Sequence, residues 1–234
     1  MRRIPLPSLA AGARDLDGAT GHYLARVLRL ARGDRFEAFG GGLVAGGIIE
    51  AVDGEHVRIH LEEPSPRTAS AAPIVWIHGM PKSDKSSSVV QDATELGVSA
   101  IVFVETARSV TKIAPNKRDD REARLRKVAE SAARQCGRAD VPQVMIAATL
   151  EDALATAPDD ALRIALHPKG KQPLRAVLVP GAATAFFAGP EGGLTDEELA
   201  IAEAQRFVVA HVGALVLRTE TVPAAVLGAL LALG

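Results

Sequence analysis

The spacing of apolar residues changes along the chain, and the change divides it. Residues 35–39, 43–52 and 55–61 carry apolar positions at the short period of strands. Asp53 and Gly54, between the last two runs, predict a tight hairpin. Upstream, residues 22–30 place Leu24, Val27 and Leu28 at helical spacing, with Arg26 and Arg29 off that stripe. A small β-barrel with a basic helix at its rim is expected. Residues 64–73, PSPRTASAAP, read as a linker, so the expected domains are 1–66 and 73–234.

Beyond the linker, strand-like and helix-like patterns alternate. Strands are expected at residues 74–78, 100–104, 144–147, 162–166, 184–188 and 207–212. Residues 83–96 predict a helix with Val89, Val90, Ala93 and Leu96 on one face and Gly97 as its stop. Asn116 is expected to cap a long helix carrying Leu125, Val128, Ala129, Ala132 and Cys136 and ending at Gly137. Further helices are expected from Thr149, Asp196 and Pro223. Such alternation specifies an α/β fold: a mostly parallel sheet with helices on both faces.

Composition narrows the function classes. Apolar residues are 47% of the chain, enough for a packed core, yet aromatics are only 3%, so Ala, Val, Leu and Ile must fill it. The single cysteine, Cys136, excludes an internal disulfide and a cysteine-rich zinc module, and it suits a reducing cytoplasm. The six histidines show no zinc spacing, so no metal is expected. No apolar run follows the N-terminal arginines and none is long enough to span a bilayer, so neither a signal peptide nor a membrane partner is expected. The net charge of −1 conceals two basic blocks. Residues 1–35 hold seven Arg against three Asp, and residues 108–138 hold ten Lys or Arg against four Asp or Glu. Two such blocks on an otherwise acidic chain suggest a polyanion footprint.

Ligands of open parallel sheets bind beyond the carboxyl ends of the strands. Two segments there stand out. GPEGGLTDEEL, residues 189–199, follows a strand directly; its three glycines permit close backbone approach, and Thr195 with Glu198 forms a capping box. Glu191 disfavours a bound phosphate. LRTET, residues 217–221, crowds Arg218, Thr219, Glu220 and Thr221 ahead of the last helix.

These two segments, about 20 residues apart, resemble the signature of the RsmE family of 16S rRNA (uracil-N3)-methyltransferases, in the SPOUT superfamily. HYLARVLRLARGD (22–34), ATELGV (93–98), ARSV (107–110) and RQCGRADVP (134–142) are also similar to family stretches, in the same order. The resemblance implies a PUA-like N-terminal RNA-binding barrel and a trefoil-knotted C-terminal methyltransferase domain that forms a homodimer. It implies S-adenosyl-L-methionine (SAM) as cofactor, wrapped by Leu166, His167, Gly189, Pro190, Glu191, Gly192, Gly193, Val212, Gly213, Leu217, Arg218, Thr219 and Thr221. The implied partner is 16S rRNA in the 30S subunit.

On that reading Arg218 stabilises charge developing on the uracil oxygens, and Glu220 orients Arg218 or helps remove the N3 proton. Arg26, Arg29, Arg108, Arg134, Gln135 and Arg138 are expected to meet the RNA. Methylation at uracil C5 would need a cysteine nucleophile, but Cys136 continues an apolar stripe and is expected to be a packed core thiol. Two other classes stay open: a non-catalytic rRNA-binding protein of the same fold, and a Rossmann oxidoreductase. The latter wants a glycine fingerprint after the first strand beyond the linker, where the chain reads HGMPKSDK. A tRNA or ribose 2′-OH target is the nearest rival among methyltransferases.

Overall fold

The computed structural model describes residues 1–67, 72–82 and 85–233. Parts of the expected linker (68–71) and the first two residues of the helix expected over 83–96 lie outside the described residues. The chain forms two compact units: residues 1–69 with 133–141, and residues 70–132 with 142–234.

The first unit is built on one mixed sheet. Its strands are β1 (Arg2–Pro5), β2 (Gly12–Leu16), β3 (Arg35–Gly40), β4 (Leu43–Asp53), β5 (His56–Leu61) and the two-residue β6 (Ser65–Pro66). Their order is β1-β3-β4-β5-β2, with β6 on β4. Ile4, Leu24, Phe36, Ile49, Ile59 and Leu61 fill its core. The expected barrel is corrected: β1 and β2 end the hydrogen-bonded path, so among the described residues the sheet is not closed. Pro5, the last residue of the short β1, carries no N–H. The hairpin forms one residue later than expected. Asp53 pairs with His56, so the loop is Gly54-Glu55, with Gly54 at φ +62°. The basic stretch is a short helix α1 (Gly18–His22) that widens into a π-helical turn over Tyr23–Val27.

The second unit is a wholly parallel sheet. Its elements are β7 (Ile74–Gly79), α2 (Lys85–Glu95), β8 (Ala100–Val104), α3 (Arg118–Cys136), β9 (Gln143–Ile146), α4 (Leu150–Leu154), β10 (Leu162–Leu166), β11 (Gln172–Pro173), α5 (Leu174–Val177), β12 (Thr184–Ala188), α6 (Asp196–Ala204), β13 (Val208–His211) and α7 (Thr221–Leu233). The strand order is β11-β13-β10-β12-β7-β8-β9. Strands β7, β8 and β9 step outward in chain order; the chain then returns and slots β12 between β7 and β10. The strands are buried almost throughout, as expected where helices cover both faces.

Local signals account for several boundaries. The Thr195 side chain accepts from the Glu198 amide, Glu198 answers from N3 to the cap, and Thr149 accepts from the Asp152 amide. Asn116 does not cap α3; it lies inside a 3-10 turn, Pro115–Lys117, which leads into the helix. Pro223 is the third residue of α7 rather than its first, still within the turn that lacks N–H partners. Cys136 is exposed, which corrects the expectation of a core thiol. The buried stripe of α3 runs Leu125, Ala129, Ala132 and Ala133. At this helix end the guanidinium of Arg3 donates to the carbonyls of Ala133 (3.1 Å) and Arg138 (2.8 Å).

Candidate functional site

Four neighbouring strands of the parallel sheet, β7, β12, β10 and β13, end side by side. The segments after β10, β12 and β13 enclose a cavity of about 590 Å³. Its wall includes Leu166 to Lys169, Ala188 to Gly193, and much of the segment Val212 to Glu220. A volume of this size suits a small organic ligand. Leu166, His167, Gly189, Pro190, Glu191, Gly192, Gly193, Val212, Gly213, Leu217, Arg218, Thr219 and Glu220 all line it. Thr221 does not; it begins α7.

The glycine loop is shaped by close approach. A Cβ at residue 79 would stand 2.5 Å from Pro190 Cδ, and one at residue 192 would stand 2.8 Å from Arg108 Cβ. Gly193 turns the chain at φ +72°. Arg108 donates from one guanidinium nitrogen to the carbonyls of Gly192 (3.0 Å) and Leu194 (3.2 Å), so it grips this loop from within the cavity wall. Glu198 serves twice: its carboxylate accepts from the Thr195 amide at 2.8 Å and from the Ala107 amide at 2.7 Å.

A buried chain of hydrogen bonds stands behind the wall. Trp76 and His78 share a face of β7, two residues apart. The indole Nε1 donates to His78 Nδ1 at 3.0 Å, His78 Nε2 lies 2.8 Å from Thr219 Oγ1, and Thr219 Oγ1 donates to the Gly189 carbonyl at 2.9 Å. His78 is fully buried, and that burial pushes its pKa down to about 4.

Charge is concentrated at the other side. The Lys85 ammonium lies 3.2 Å from Glu191 and 3.1 Å from Glu220. The Glu220 carboxyl is held below its ordinary range, first by its own backbone N–H and then by Lys85. The expected Arg218–Glu220 pairing is therefore replaced: the ion-pair partner of Glu220 is Lys85. Arg218 is exposed in the cavity wall, and its side chain makes no hydrogen bond among the described residues. His167 has a lowered pKa, chiefly from burial, and its Nδ1 accepts from the Lys169 amide at 3.2 Å.

The residues expected to meet RNA are divided between the two units. Arg26, Arg29, Arg134, Gln135 and Arg138 belong to the first unit, the last three because residues 133–141 pack there. Arg26, Arg29 and Gln135 are exposed. Arg134 stacks over the Tyr23 ring at 5.3 Å, and Arg138 pairs with Asp140 at 2.7 Å. Arg108 belongs to the second unit, in the cavity wall.

Sequence reasoning missed Lys85, Trp76 and His78. The polar His78 at the end of an otherwise apolar strand was the available signal, since a buried polar side chain needs a stated partner. Among the described residues, no group of three or more His, Cys, Asp or Glu could hold a metal ion.

The family model described as RNA methyltransferase domain matches residues 68–231. The ribosomal RNA small subunit methyltransferase E of Synechocystis sp. is 30% identical, over 91% of this chain and 70% of its own length. That of Bacillus subtilis is 29% identical, over 92% of this chain and 88% of its own. A Neisseria gonorrhoeae protein of the same name, crystallised with S-adenosyl methionine, superposes with a TM-score of 0.87 at 26% identity, covering 100% of this chain and 98% of that one. With a family model over most of the chain and relatives aligned along nine-tenths of it, this protein belongs to the ribosomal RNA small subunit methyltransferase E family.

Proposed function

We propose that this chain transfers the methyl group of SAM to N3 of a uridine in 16S rRNA of the small ribosomal subunit. The observation that carries the reading is the cavity at the ends of β12, β10 and β13, whose glycine loop and LRTET segment are pinned together through Thr219. SAM supplies an electrophilic methyl group on a sulfonium. A cavity of about 590 Å³ suits a ligand of this size, and Glu191 and Glu220, each paired with Lys85, bring carboxylates to its wall. Leu166, His167, Gly189 to Gly193, Val212, Gly213, Leu217 and Thr219 would hold it.

Arg218 is the residue available to the acceptor base. Among the described residues its side chain makes no hydrogen bond, so it can meet negative charge developing on the uracil oxygens as N3 loses its proton to solvent. A carboxyl held below its ordinary range is a weak base, so Glu220 is assigned to the ion pair with Lys85 rather than to proton removal. In-line positioning of acceptor and methyl supplies most of the acceleration. In the first unit, Arg26, Arg29, Arg134, Gln135 and Arg138 would bind the RNA backbone.

The same reading includes a PUA-like role for the first unit, the trefoil knot in the second, a homodimer, and a cytoplasmic enzyme acting on the 30S subunit. The insertion of β12 between β7 and β10 supports the knot. Leu231 and Leu233, each 53% exposed on α7, support a self-association surface. Among the described residues no helix is long and apolar enough to cross a membrane.

The test is transfer of labelled methyl from SAM to 30S subunits from a strain lacking the enzyme, followed by nucleoside mass spectrometry. The expected product is 3-methyluridine. Label in another nucleoside, or none, would overturn the assignment of the acceptor atom.

A further inference from the structure

We infer that His78 is a positioning residue for the cofactor cavity, acting through Thr219 in a hydrogen-bond relay whose direction Trp76 fixes. This inference rests on the methyltransferase reading of the cavity. It concerns a side chain that does not line the cavity and that no part of the mechanism above uses.

The direction follows from donor inventory. An indole nitrogen can only donate, so His78 Nδ1 must accept, 3.0 Å away. The imidazole is neutral, and its one proton must then sit on Nε2. That proton points at Thr219 Oγ1, 2.8 Å away, which becomes the acceptor. The Thr219 hydroxyl proton is left with one target, the Gly189 carbonyl at 2.9 Å. Each member therefore has a single orientation, and no alternative arrangement satisfies every group. Burial agrees with this: Trp76 and His78 are both fully buried, so the bond between them has no competing water.

The relay joins two pieces of the cavity wall. Thr219 belongs to the segment after β13, and Gly189 opens the loop after β12. The bond from the Thr219 hydroxyl to the Gly189 carbonyl holds the two walls at fixed separation. His78 sets that separation without touching ligand.

The experiment uses the full-length protein, with SAM binding read by calorimetry, methyl transfer read on 30S subunits, and the His78 tautomer read from imidazole nitrogen shifts by NMR. In the wild type His78 is expected as the Nε2–H tautomer. His78→Leu is expected to raise the SAM dissociation constant on the order of tenfold or more, as an orphaned buried hydroxyl and a lost bond imply. Turnover at saturating SAM should change far less. His78→Gln, which restores a donor near the position of Nε2, should recover part of the affinity. Trp76→Phe should release Nδ1 and mix the tautomers.

Leu and Gln variants weakening SAM equally would reduce His78 to a packing residue and overturn the inference. So would wild-type His78 protonated on Nδ1, a result that stands even where His78→Leu fails to fold. Wild-type protein that binds no SAM would instead remove the methyltransferase reading, and the tautomer would still decide the relay.

Discussion

Lys85 and Glu220 form an ion pair of 3.1 Å, and the same ammonium reaches Glu191 at 3.2 Å. One cation thus ties a carboxylate from each cavity loop. Lys85→Met leaves the two carboxylates facing each other unneutralised. The pairs are partly exposed, so the effect is modest: SAM affinity should fall on the order of fivefold, and more steeply at low salt. Calorimetric titration at two ionic strengths checks this, and affinity equal to wild type at both would show that the bridge plays no part in binding.

Arg218→Ala separates binding from chemistry. With no side-chain hydrogen bond among the described residues to lose, the variant should fold normally and keep SAM affinity within about a factor of three, while turnover drops roughly 10²–10³-fold, as removal of one charge-stabilising donor does elsewhere. Parallel losses of affinity and turnover would make Arg218 a cofactor residue alone.

Arg108→Ala distinguishes the two roles open to this arginine. Because its guanidinium grips the Gly192 and Leu194 carbonyls, the variant should weaken SAM binding. RNA binding should keep its salt dependence. A salt slope shallower by about one, with SAM affinity intact, would return Arg108 to the RNA footprint.

Arg26 and Arg29 are exposed on the first unit. Their joint replacement by Gln should weaken rRNA binding and flatten its salt slope by roughly 1.4–1.8, the increment for two phosphate contacts, with SAM affinity unchanged. Filter binding across a salt series measures the slope; an unaltered slope would place the RNA elsewhere.

Acid should weaken the fold through His78. Its native pKa is depressed from the ordinary 6.5 to about 4, so the unfolded chain takes up the proton first. The native advantage is complete above pH 6.5 and is lost as pH falls through about 4. The contribution at stake is about 3 kcal/mol at most. Denaturant midpoints over this range should slope less in His78→Leu than in wild type; equal slopes would assign the acid sensitivity to other groups.

Much of the second unit was legible because its strands are apolar runs set between capped helices. The Thr195–Glu198 box and the Thr149 cap act within one turn, so sequence spacing reveals them directly. The cavity loops were legible for a similar reason: glycines and charges crowd at strand ends where no core position explains them. What stayed hidden depends on partners distant in the chain. β1 carries two arginines in four residues and looks nothing like a core strand, yet it pairs with β3 some 34 positions away. Residues 133–141 pack with the first unit, partly because Arg3 holds the end of α3, and no local signal reports that. Lys85 and His78 owe their importance to Glu220 and Thr219, more than 130 residues later.

The place of β12 in the sheet also governs the order in which the protein can mature. Ile74 pairs with Thr184, so the edge of β7 that faces β12 stays bare until the ribosome has made roughly four-fifths of the chain. Until then an apolar strand edge is open to other chains, and the pairing that closes it spans a long, entropically costly loop. The cavity wall is completed later still, when Thr219 reaches Gly189. Nascent chains stalled before residue 184 should therefore lean on chaperones, and cofactor binding becomes a late event in biosynthesis.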